Sequence, residues 1–432
     1  MSNIAYAVIG AGYGDEGKGL VTDFLVRHHT KFFTVPLVIR GNGGAQAGHT
    51  VVVDNEDRER HVFSHVGSGT FAGANTYLAS NFIVNPYLLD KEMVELKVYN
   101  IDHRVFVNRN CRVTTIYDMA INSLAELSRS DRHGSCGAGI NETVARHKAG
   151  FHLTLGMVKD GTIYDILKKI QNEWVPNRLK ELGISTDISE WRGGSVRARA
   201  RAYIDMFNLP INALGDDMLR ACRTEWNQFQ QIDDPLDLYS NDQVIIYEGA
   251  QGLMLDEHLG IFPHVTRSVT GLPSAIQAAY EVGHTVIQPI YVTRPYLTRH
   301  GAGELAHEGK HITSTKLYDD TNSPNEWQGT LRYAPLDVDN LRDFIIQDVQ
   351  RGRANQLTGT QILPPQLVVT CMDQLGAEVT VSRFNFAKNQ HEQLNMLSQD
   401  LPHFLAKELK MKLFATSHGP TASDVRVRLD EV

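Results

Sequence analysis

An apolar run that breaks into glycines constrains the fold of this chain more than any other feature. Residues 4–9 read IAYAVI, the pattern of a strand buried on both faces, and glycines follow at positions 10, 12 and 14. Residues 18–29 then carry apolar side chains on one face of a helix. A buried strand, a glycine turn and a helix in this order predict a unit of a parallel sheet whose strands are connected by helices.

The same alternation of strands and helices continues along the chain. Buried-strand patterns lie at residues 35–40, 244–247, 285–292 and 366–370, helical patterns at 116–127 and 341–350, and a hairpin pattern at 51–54 and 61–65. Residues 162–229 are polar and mostly helical in pattern. We therefore predict an α/β fold, a single large domain over residues 1–432 with a mostly parallel central sheet, a P-loop-like phosphate loop and a helical insertion at 162–229.

The first glycine turn has the composition of a phosphate-binding loop. Residues 12–19 read GYGDEGKG and fit GxxxxGK, with Gly19 where such loops usually have Ser or Thr. Backbone N–H groups, the amino terminus of the helix and the Lys18 cation can together hold phosphate oxygens. Because Gly19 has no hydroxyl for a magnesium ion, the carboxylate of Asp15 is the candidate metal ligand. A dinucleotide-binding loop is the weaker interpretation, since no GxGxxG with a suitably placed acidic residue follows.

A second glycine-rich loop follows the second predicted strand. Residues 41–50 read GNGGAQAGHT and include His49, whose imidazole is the commonest acid or hydrogen-bond donor near neutral pH. Loops after parallel strands meet at one edge of the sheet, where open α/β sheets bind ligands. The sequence thus predicts that both loops contribute to one phosphate-handling site.

Composition narrows the class of protein. The formal net charge is −8, which argues against nucleic acid and membrane as partners, because both usually need a positive field. The four cysteines form no CxxC pair and are expected to be reduced thiols. No basic stretch precedes the first apolar run, and no apolar segment approaches about 20 residues. We therefore expect a cytoplasmic protein without a signal peptide.

Three motifs in register resemble those of the adenylosuccinate synthetase family. They are the two glycine loops and residues 248–256, which read EGAQGLMLD, with Val265-Thr266 downstream. The resemblance implies a ligase of purine nucleotide biosynthesis that uses Mg²⁺ and forms a homodimer. In that reaction the γ-phosphoryl group of GTP is transferred to O6 of IMP, and the amine of L-aspartate then displaces phosphate to form adenylosuccinate.

The resemblance also implies roles for individual residues. Asp15 would take the proton from N1 of the purine, while His49 and Lys18 would act on the transferred phosphoryl group. Gln251 would hold the purine, and the metal would contact Asp15 and the backbone carbonyl of Gly48. The other nucleotide contacts implied by the resemblance are Gly14, Glu16, Gly17, Gly19, Gln46, Thr50, Ser135, Cys136, Arg146, Leu255, Thr266, Asp373, Ser417 and Gly419.

The chain departs from the family where aspartate is expected to bind. The family's loop of the form GRxRR reads QGTLRYA at residues 328–334, so that Arg332, near Thr330, is the one arginine kept. Carboxylates select the forked guanidinium of arginine, so the loss bears on dicarboxylate affinity. Arg299, in a neighbouring segment that also resembles the family, is expected to compensate.

Two further segments depart from the family. The family's guanine-binding motif TKxD is TCMD at residues 370–373, so its aspartate is kept as Asp373. The resemblance of Asp373, Ser417 and Gly419 to the family's residues favours GTP over ATP. The phosphate loop reads GSCGAGI at residues 134–140 and precedes Arg146 by fewer residues than usual. The resemblance implies that this arginine crosses a dimer interface.

These departures leave two alternatives open. The first is the same chemistry on GMP or dGMP, with ATP in place of GTP, because the departures resemble the viral branch of the family, which joins aspartate to dGMP. Members of that branch typically replace the loop aspartate and are shorter, whereas Asp15 is present here, and this favours IMP or an intermediate specificity. The second is a nucleotide-binding protein whose altered arginine loop has lost catalysis.

Overall fold

A computed structural model of the protein describes residues 4–30, 34–129, 137–222, 229–238, 243–312, 317, 319, 329–354 and 359–428. The strands within these residues are β1 (Ile4–Gly10), β2 (Leu37–Arg40), β3 (His49–Val52), β4 (Arg60–Phe63), β5 (Asn75–Leu78), β6 (Ile83–Val84), β7 (Val105–Asn108), β8 (Arg112–Val113), β9 (Phe229–Ile232), β10 (Ile245–Gly252), β11 (Val286–Thr293), β12 (Tyr296–Arg299), β13 (Arg332–Asp337), β14 (Gln361–Ile362), β15 (Gln366–Val369), β16 (Glu378–Asn385), β17 (Gln390–Leu397), β18 (Lys412–Ser417) and β19 (Val425–Val427). The α-helices are α1 (Lys18–His29), α2 (Pro86–Leu96), α3 (Ile116–Ser128), α4 (Ile140–Lys148), α5 (Leu155–Lys159), α6 (Ile163–Lys169), α7 (Val175–Glu181), α8 (Gly194–Met206), α9 (Ile211–Ala221), α10 (Leu272–Glu281), α11 (Val338–Ala354) and α12 (Leu401–Leu409).

An 11-stranded sheet forms the centre of the fold, in the order β19-β18-β15-β11-β1-β10-β2-β5-β7-β9, with β14 also paired to β11. Its pairings are parallel except for that of β18 with β19. The predicted α/β fold with a mostly parallel central sheet is therefore confirmed. Because the strands are parallel, the loops that follow β1, β2, β10, β11, β15 and β18 all leave the same edge of the sheet.

Helices cover both faces of this sheet. Alternation along β1 sends Ala5, Ala7 and Ile9 into one core cluster and Val8 into another. α10, α11 and α12 bury their apolar side chains in the first cluster, whereas α1 covers the second with residues such as Leu25. Burial on both faces explains why the central strands read as continuous apolar runs and not as alternating patterns.

Most predicted elements are present, and one difference changes how the site is built. α1 covers the predicted residues 18–29, and β3 and β4 pair antiparallel as the hairpin pattern indicates. β10, however, is longer than predicted and runs through the motif expected to be a loop, because Glu248 pairs with Val8 and Gly252 with Gly10 of β1. The Glu248 side chain is therefore held by a buried strand.

The predicted insertion at 162–229 contains α6, α7, α8 and α9 and ends on β9, which pairs with β7 at an edge of the central sheet. Although its composition is polar, the insertion has an apolar core in which Leu167, Trp174, Trp191 and Ile204 are buried together. Trp174 and Trp191 are packing residues of this core.

A smaller sheet in the order β12-β13-β16-β17 follows the insertion in sequence. Leu297, Leu336 and Val381 from this sheet join the core cluster on the first face of the central sheet. The sequence pattern does not predict these strands. β17 reads QHEQLNML and is half exposed, so it lacks the apolar run that marks a buried strand.

Two expectations from composition concern cysteines and membranes. Cys111, Cys222 and Cys371 are free thiols, whereas Cys136 lies outside the described residues. No helix in the described ranges has both the length and the apolar character needed to cross a bilayer.

Candidate active site

A cavity of about 710 Å³ is lined by the loops at the carboxyl edge of the central sheet. It also receives residues from α3, α4 and the helical insertion. Most of the residues selected from sequence motifs line it, namely Gly14, Asp15, Gly17, Lys18, Gly19, Gln46, Gly48, His49, Thr50, Gln251, Leu255, Thr266, Arg299, Asp373, Ser417 and Gly419. Segments that are hundreds of residues apart in sequence therefore form one site.

Glu16 lies inside the phosphate loop and not at its surface. Its Oε1 accepts the backbone N–H of Gly12 at 2.9 Å and of Gly14 at 2.8 Å, and its Oε2 accepts Lys18 Nζ at 2.9 Å. The Glu16 carboxylate is thus an internal anion that orders the loop, and it does not line the cavity. The nucleotide contact predicted for Glu16 stays a prediction, and its backbone is the part able to make it, because the carboxylate is buried behind the loop.

Direct backbone contacts join the phosphate loop to the loop after β10. The Met254 N–H donates to the Gly12 carbonyl at 3.0 Å, and a Cβ at Gly252 would lie 2.2 Å from that oxygen, so only glycine fits there. Gln251 adopts a left-handed backbone conformation with φ of 65°, and its Cα lies against Gly14. The predicted purine-binding residue is therefore held next to the loop that carries Asp15.

Close packing against His49 accounts for the glycine at position 19. A Cβ on Gly19 would lie 3.0 Å from the Cβ of His49 and 3.1 Å from Ser68 Oγ. These distances are shorter than ordinary carbon contacts, so a serine or threonine at position 19 would displace its neighbours. His49 can pack this closely against the start of α1 only because position 19 has no side chain.

His49 belongs to a buried polar network at the base of the cavity. Its Nδ1 lies 2.5 Å from Oε1 of Glu248, and that carboxylate also accepts the backbone N–H of Ser68 at 2.9 Å and the Ser68 hydroxyl. The guanidinium of Arg40, which is fully buried, lies 3.9 Å from Glu248 Oε2. Arg40 Nε and Nη2 are buried and have no hydrogen-bond partner within the part of the chain that the structure describes.

The network determines the protonation of the imidazole. Burial alone would raise the pKa of Glu248, but Arg40 and His49 lower that pKa to about 2. Burial lowers the pKa of His49 to about 4, against the opposing effect of Glu248. The ionised carboxylate can only accept a hydrogen bond, so the neutral ring carries its proton on Nδ1 and has a lone pair on Nε2.

Asp15 lies where the phosphate loop meets the loop after β11. Its backbone carbonyl accepts a hydrogen bond from Arg294 Nε, and its Oδ2 lies 3.6 Å from Nε2 of His300. Burial raises the pKa of Asp15, while His300 and Arg294 act in the opposite direction. The sequence motifs assigned a role to neither Arg294 nor His300, although His300 directly follows Arg299 in the segment that resembles the family.

The chemistry of the available donors fits a magnesium ion. The Asp15 carboxylate and the backbone of Gly48 both line the cavity, and Mg²⁺ prefers oxygen ligands of these kinds. A cation beside Asp15 would also favour the ionised carboxylate that burial disfavours.

Arg299 is the predicted aspartate-binding residue that the structure places in the cavity. Its Nη1 donates to the Glu304 carbonyl at 2.7 Å and its Nη2 to the His264 carbonyl at 3.0 Å, and its guanidinium stacks 4.4 Å from the ring centre of Tyr13. Among the described residues, no carboxylate lies within 4.0 Å of this buried cation, and its Nε is unpaired. The Nε atom of Arg299 is therefore positioned to donate to a further carboxylate.

The other two predicted aspartate-binding residues lie elsewhere. Arg332 is paired with Arg299 in the β12–β13 ladder, but its guanidinium contacts Glu308 and the carbonyls of Gly301 and Gly303. Thr330 is exposed and does not line the cavity. The predicted direct contacts of Arg332 and Thr330 with aspartate therefore stay predictions, and in this conformation Arg332 contacts the loop beside Arg299 instead of the cavity.

The predicted role of Arg146 across a dimer interface stays a prediction, and the contacts of this side chain within its own chain do not favour it. The side chain has no exposed surface, and its guanidinium makes hydrogen bonds to both carboxylate oxygens of Asp118 and to the carbonyls of Phe151 and Val113. In this conformation all the contacts of the guanidinium lie inside its own chain. The predicted phosphate contacts Ser135 and Cys136 lie outside the described residues.

Gln46, which the motifs predicted, and two arginines that they did not identify contribute polar groups to the cavity. Both polar atoms of the Gln46 side chain are buried and have no hydrogen-bond partner among the described residues. α4 begins nearby with Gly139 and Ile140 in the cavity lining, and Arg178 and Arg267 line the same cavity. Arg178 comes from the helical insertion, so no local motif near the glycine loops could have indicated it.

Comparisons with known proteins identify the family. The sequence model of the family described as adenylosuccinate synthetase matches residues 7–330. Adenylosuccinate synthetase of Francisella philomiragia is 27% identical over 329 residues, covering 74% of this chain and 67% of that protein. The enzyme of Francisella tularensis subsp. tularensis is 27% identical over 331 residues, with the same coverage of both chains.

Two solved structures share the fold over nearly the whole chain. Adenylosuccinate synthetase of Plasmodium falciparum superposes with a TM-score of 0.68 at 17% identity, covering 99% of this chain and 100% of that one. Succinoaminodeoxyadenylate synthetase of cyanophage S-2L superposes with a TM-score of 0.58 at 14% identity, covering 99% and 96%. The family match extends over most of the chain, and the motif residues meet in one cavity. The chain belongs to the adenylosuccinate synthetase family of carbon–nitrogen ligases.

Proposed function

We propose that this protein joins L-aspartate to IMP in a reaction driven by GTP, through a 6-phosphoryl intermediate, to form adenylosuccinate. The observation that carries the proposal is the convergence of Asp15, Lys18, His49 and Gln251 on one cavity. Membership of the family supports the coarser statement that the protein is a ligase joining aspartate to a purine nucleotide. The nucleotide and the triphosphate are the specific part of the proposal.

The first step needs a base beside the purine. O6 becomes a good nucleophile only when N1 loses its proton, and Asp15, in the loop next to Gln251, is the carboxylate that we assign to this proton. O6 then attacks the γ-phosphorus, the bond to the β-phosphate oxygen breaks, and GDP leaves. Bound Mg²⁺ would offset charge on the triphosphate.

We assign His49 to the transferred phosphoryl group. In the nucleotide-free protein its ring is neutral, because burial lowers its pKa to about 4. The negative charge of a triphosphate would favour the imidazolium, which Glu248 also stabilises, and Nε2 would then donate to a phosphoryl oxygen. Lys18, whose Nζ is held by Glu16 and the Gly14 carbonyl at 2.6 Å, supplies a second cation at the same place.

The second step requires aspartate to approach C6 of the purine with its amine unprotonated. We assign one of its carboxylates to Arg299, whose unpaired Nε and stacking on Tyr13 suit a planar acid. The amine displaces phosphate from C6, so that the carbon–oxygen bond breaks as the carbon–nitrogen bond forms. Arg332 takes part indirectly, since it holds the carbonyls of the loop next to Arg299.

The 5′-phosphate of the nucleotide is assigned to the far end of the cavity. Gln46 presents an amide that has no partner among the described residues, and Thr266 lines the same cavity. Because Arg146 is buried and paired within its own chain, we assign the cation at this phosphate to Arg178 or Arg267, which both line the cavity. These assignments require no residue from a second subunit.

The principal alternative is the same chemistry on GMP or dGMP with ATP. The cyanophage protein that shares the fold was determined with dGMP and with dATP as an energy donor. The guanine-reading segment here keeps Asp373 in the cavity, and a carboxylate accepts from N1 and N2 of guanine but meets a lone pair at N1 of adenine. Asp373 thus favours GTP as the triphosphate, and Asp15 favours IMP as the nucleotide.

A substrate panel tests the proposal. Purified protein is given IMP, GMP or dGMP with GTP or ATP, with and without aspartate, and phosphate release is followed together with the nucleotide product. We expect turnover with IMP, GTP and aspartate together, and its loss in Asp15→Asn with the fold preserved. Turnover with dGMP and ATP instead would establish the alternative. Tight nucleotide binding without phosphate release in any combination would establish the third reading, a nucleotide-binding protein without catalysis.

A further inference from the structure

Two histidines and an aspartate converge on the smaller sheet, away from the residues assigned to the reaction. Asp337 ends β13, His391 lies on β17, and His307 lies in the segment between β12 and β13. One donor atom from each lies within 4.8 Å of the other two. From this cluster we infer a binding site for a divalent transition-metal ion such as Zn²⁺ or Co²⁺.

The distances fit a site that needs only a small adjustment. His307 Nε2 lies 2.9 Å from Asp337 Oδ2, and the ring centres of His307 and His391 are 4.9 Å apart. Metal–ligand bonds of about 2.0–2.2 Å in a tetrahedral site separate neighbouring ligand atoms by about 3.3 Å. His307 and Asp337 are thus already close enough, and His391, which is exposed, is the side chain able to move inward.

The donor set selects the class of metal. Imidazole nitrogen binds zinc, cobalt and nickel well, whereas magnesium prefers carboxylate, carbonyl and water oxygens. The cluster therefore differs in chemistry from the oxygen ligands assigned to Mg²⁺ at Asp15. Three protein ligands also leave a coordination position for water on the exposed side of His391.

The surroundings hold two of the ligands in place. The other carboxylate oxygen of Asp337 accepts the backbone N–H of Asn340 at 3.0 Å, which fixes the plane of the carboxylate at the start of α11. His307 adopts a left-handed backbone conformation with φ of 64°, uncommon for a residue other than glycine. That conformation directs its ring toward Asp337, where a metal ion would replace the present hydrogen bond.

An ion bound at this site would restrict the motion of the loop that follows Arg299. His307 precedes Glu308, which is paired with Arg332 at 2.7 Å, and Arg332 holds the carbonyls of Gly301 and Gly303. A metal ion on His307 would tie this segment to β13 and β17. Because only the folded chain brings the three ligands together, the ion would stabilise the folded state.

Metal titration of the full chain tests the inference without any nucleotide, so its outcome does not depend on the proposed function. Protein stripped with a chelator is titrated with Zn²⁺ by calorimetry and with Co²⁺ by visible absorption, both in excess Mg²⁺. We expect one ion per chain that Mg²⁺ does not displace. His391→Asn and His307→Asn should each weaken binding at least about tenfold.

His311→Asn is the matched control, because His311 is an exposed histidine a few residues away that lies outside the cluster. It should bind Zn²⁺ as the wild type does. Zn²⁺ should also raise the melting temperature of the wild type and of His311→Asn but not of His391→Asn, an exposed substitution that leaves the core intact. Equal affinity in all four proteins, or no Zn²⁺ binding by the wild type, would overturn the site.

Discussion

The Nδ1 atom of His49 lies 2.5 Å from Oε1 of Glu248, and both side chains are buried at the base of the cavity. The carboxylate is held ionised by Arg40 and Ser68, so the contact fixes which nitrogen of the imidazole carries the proton. A glutamate from the central sheet thereby orients a histidine from the β3–β4 hairpin.

Neutralising the glutamate should impair the assigned role of His49. In Glu248→Gln the amide no longer stabilises an imidazolium, so we expect kcat for the proposed reaction to fall by about 10²-fold or more. Phosphate release at saturating substrates measures the effect. Glu281→Gln, which alters another glutamate bound to Tyr77 and Ser80 outside the cavity, is the control and should retain activity. A Glu248→Gln enzyme with unchanged kcat would rule out this coupling.

The stability of the protein should depend on pH through His49. Because its pKa is lowered from 6.5 to about 4, the folded chain binds fewer protons than the unfolded chain between these values. The free energy of unfolding therefore falls as the pH is lowered through this range, by about 3 kcal/mol for a shift of this size. We expect His49→Gln to lose less stability than the wild type between pH 6.5 and 4 in denaturant titrations. Equal losses in both proteins would show that His49 titrates normally.

Adding the hydroxyl that phosphate loops usually contain should harm this site. Gly19→Ser would place a Cβ 3.0 Å from that of His49, so the imidazole must move, and we expect kcat to fall at least about tenfold. Gly194→Ser is the control, because a Cβ there meets nothing within 4 Å. If Gly19→Ser were as active as the wild type, the close packing would not explain the glycine.

The fork of Arg299 should be needed for aspartate and not for the nucleotide. Arg299→Lys keeps the positive charge but cannot make paired hydrogen bonds to a carboxylate, so KM for aspartate should rise about tenfold or more. KM for the purine nucleotide should change little. Arg383→Lys, on the smaller sheet and paired with Glu408, is the control and should leave both constants unchanged. Equal effects on both KM values would point to a general disturbance of the loop.

Arg146 should act in stability within its own chain. Arg146→Ala leaves Asp118 as an unpaired buried carboxylate, so we expect a loss of about 3 kcal/mol or more in the free energy of unfolding. Arg109→Ala, which removes an exposed arginine paired with Asp160 and Asp233, should cost about 1 kcal/mol or less.

A mixing experiment separates this structural role from a contribution across subunits. If Arg146 completed a neighbour's site, mixtures of Arg146→Ala and Asp15→Asn chains would contain restored sites and show more activity than either variant alone. We expect no such restoration, because the Arg146 guanidinium is enclosed by Asp118, Phe151 and Val113. Recovered activity would contradict the cis assignment.

Local patterns predicted the parts of the fold that local physics controls. β1 and β11 are buried on both faces, so nearly all their residues are apolar and the strands can be predicted from the sequence. α1 is buried on one face, which gives it apolar residues at helical spacing. The half-exposed β17 has too few apolar residues for a strand to be predicted from its sequence. The apolar core of the helical insertion was concealed because its charged faces dominate the composition.

Within the site, the sequence by itself determined which chemical groups are available. The glycine spacing, Lys18 and Asp15 identify a phosphate loop because backbone N–H groups, a cation and a carboxylate suffice to define its chemistry. The parallel order of strands then implies that the glycine loops meet at one edge of the sheet. These conclusions need only neighbours in the chain and the geometry of a parallel sheet.

Only the tertiary structure decided how each group is used. The Glu16 side chain points into its own loop, Arg146 is paired with Asp118, and Arg178 lines the cavity from the insertion. A glutamate or an arginine has the same charge and length wherever it occurs, so its residue type alone does not reveal its role. Their roles depend on which partners the packing brings within a few ångströms, because a buried charge is committed to the partners that surround it.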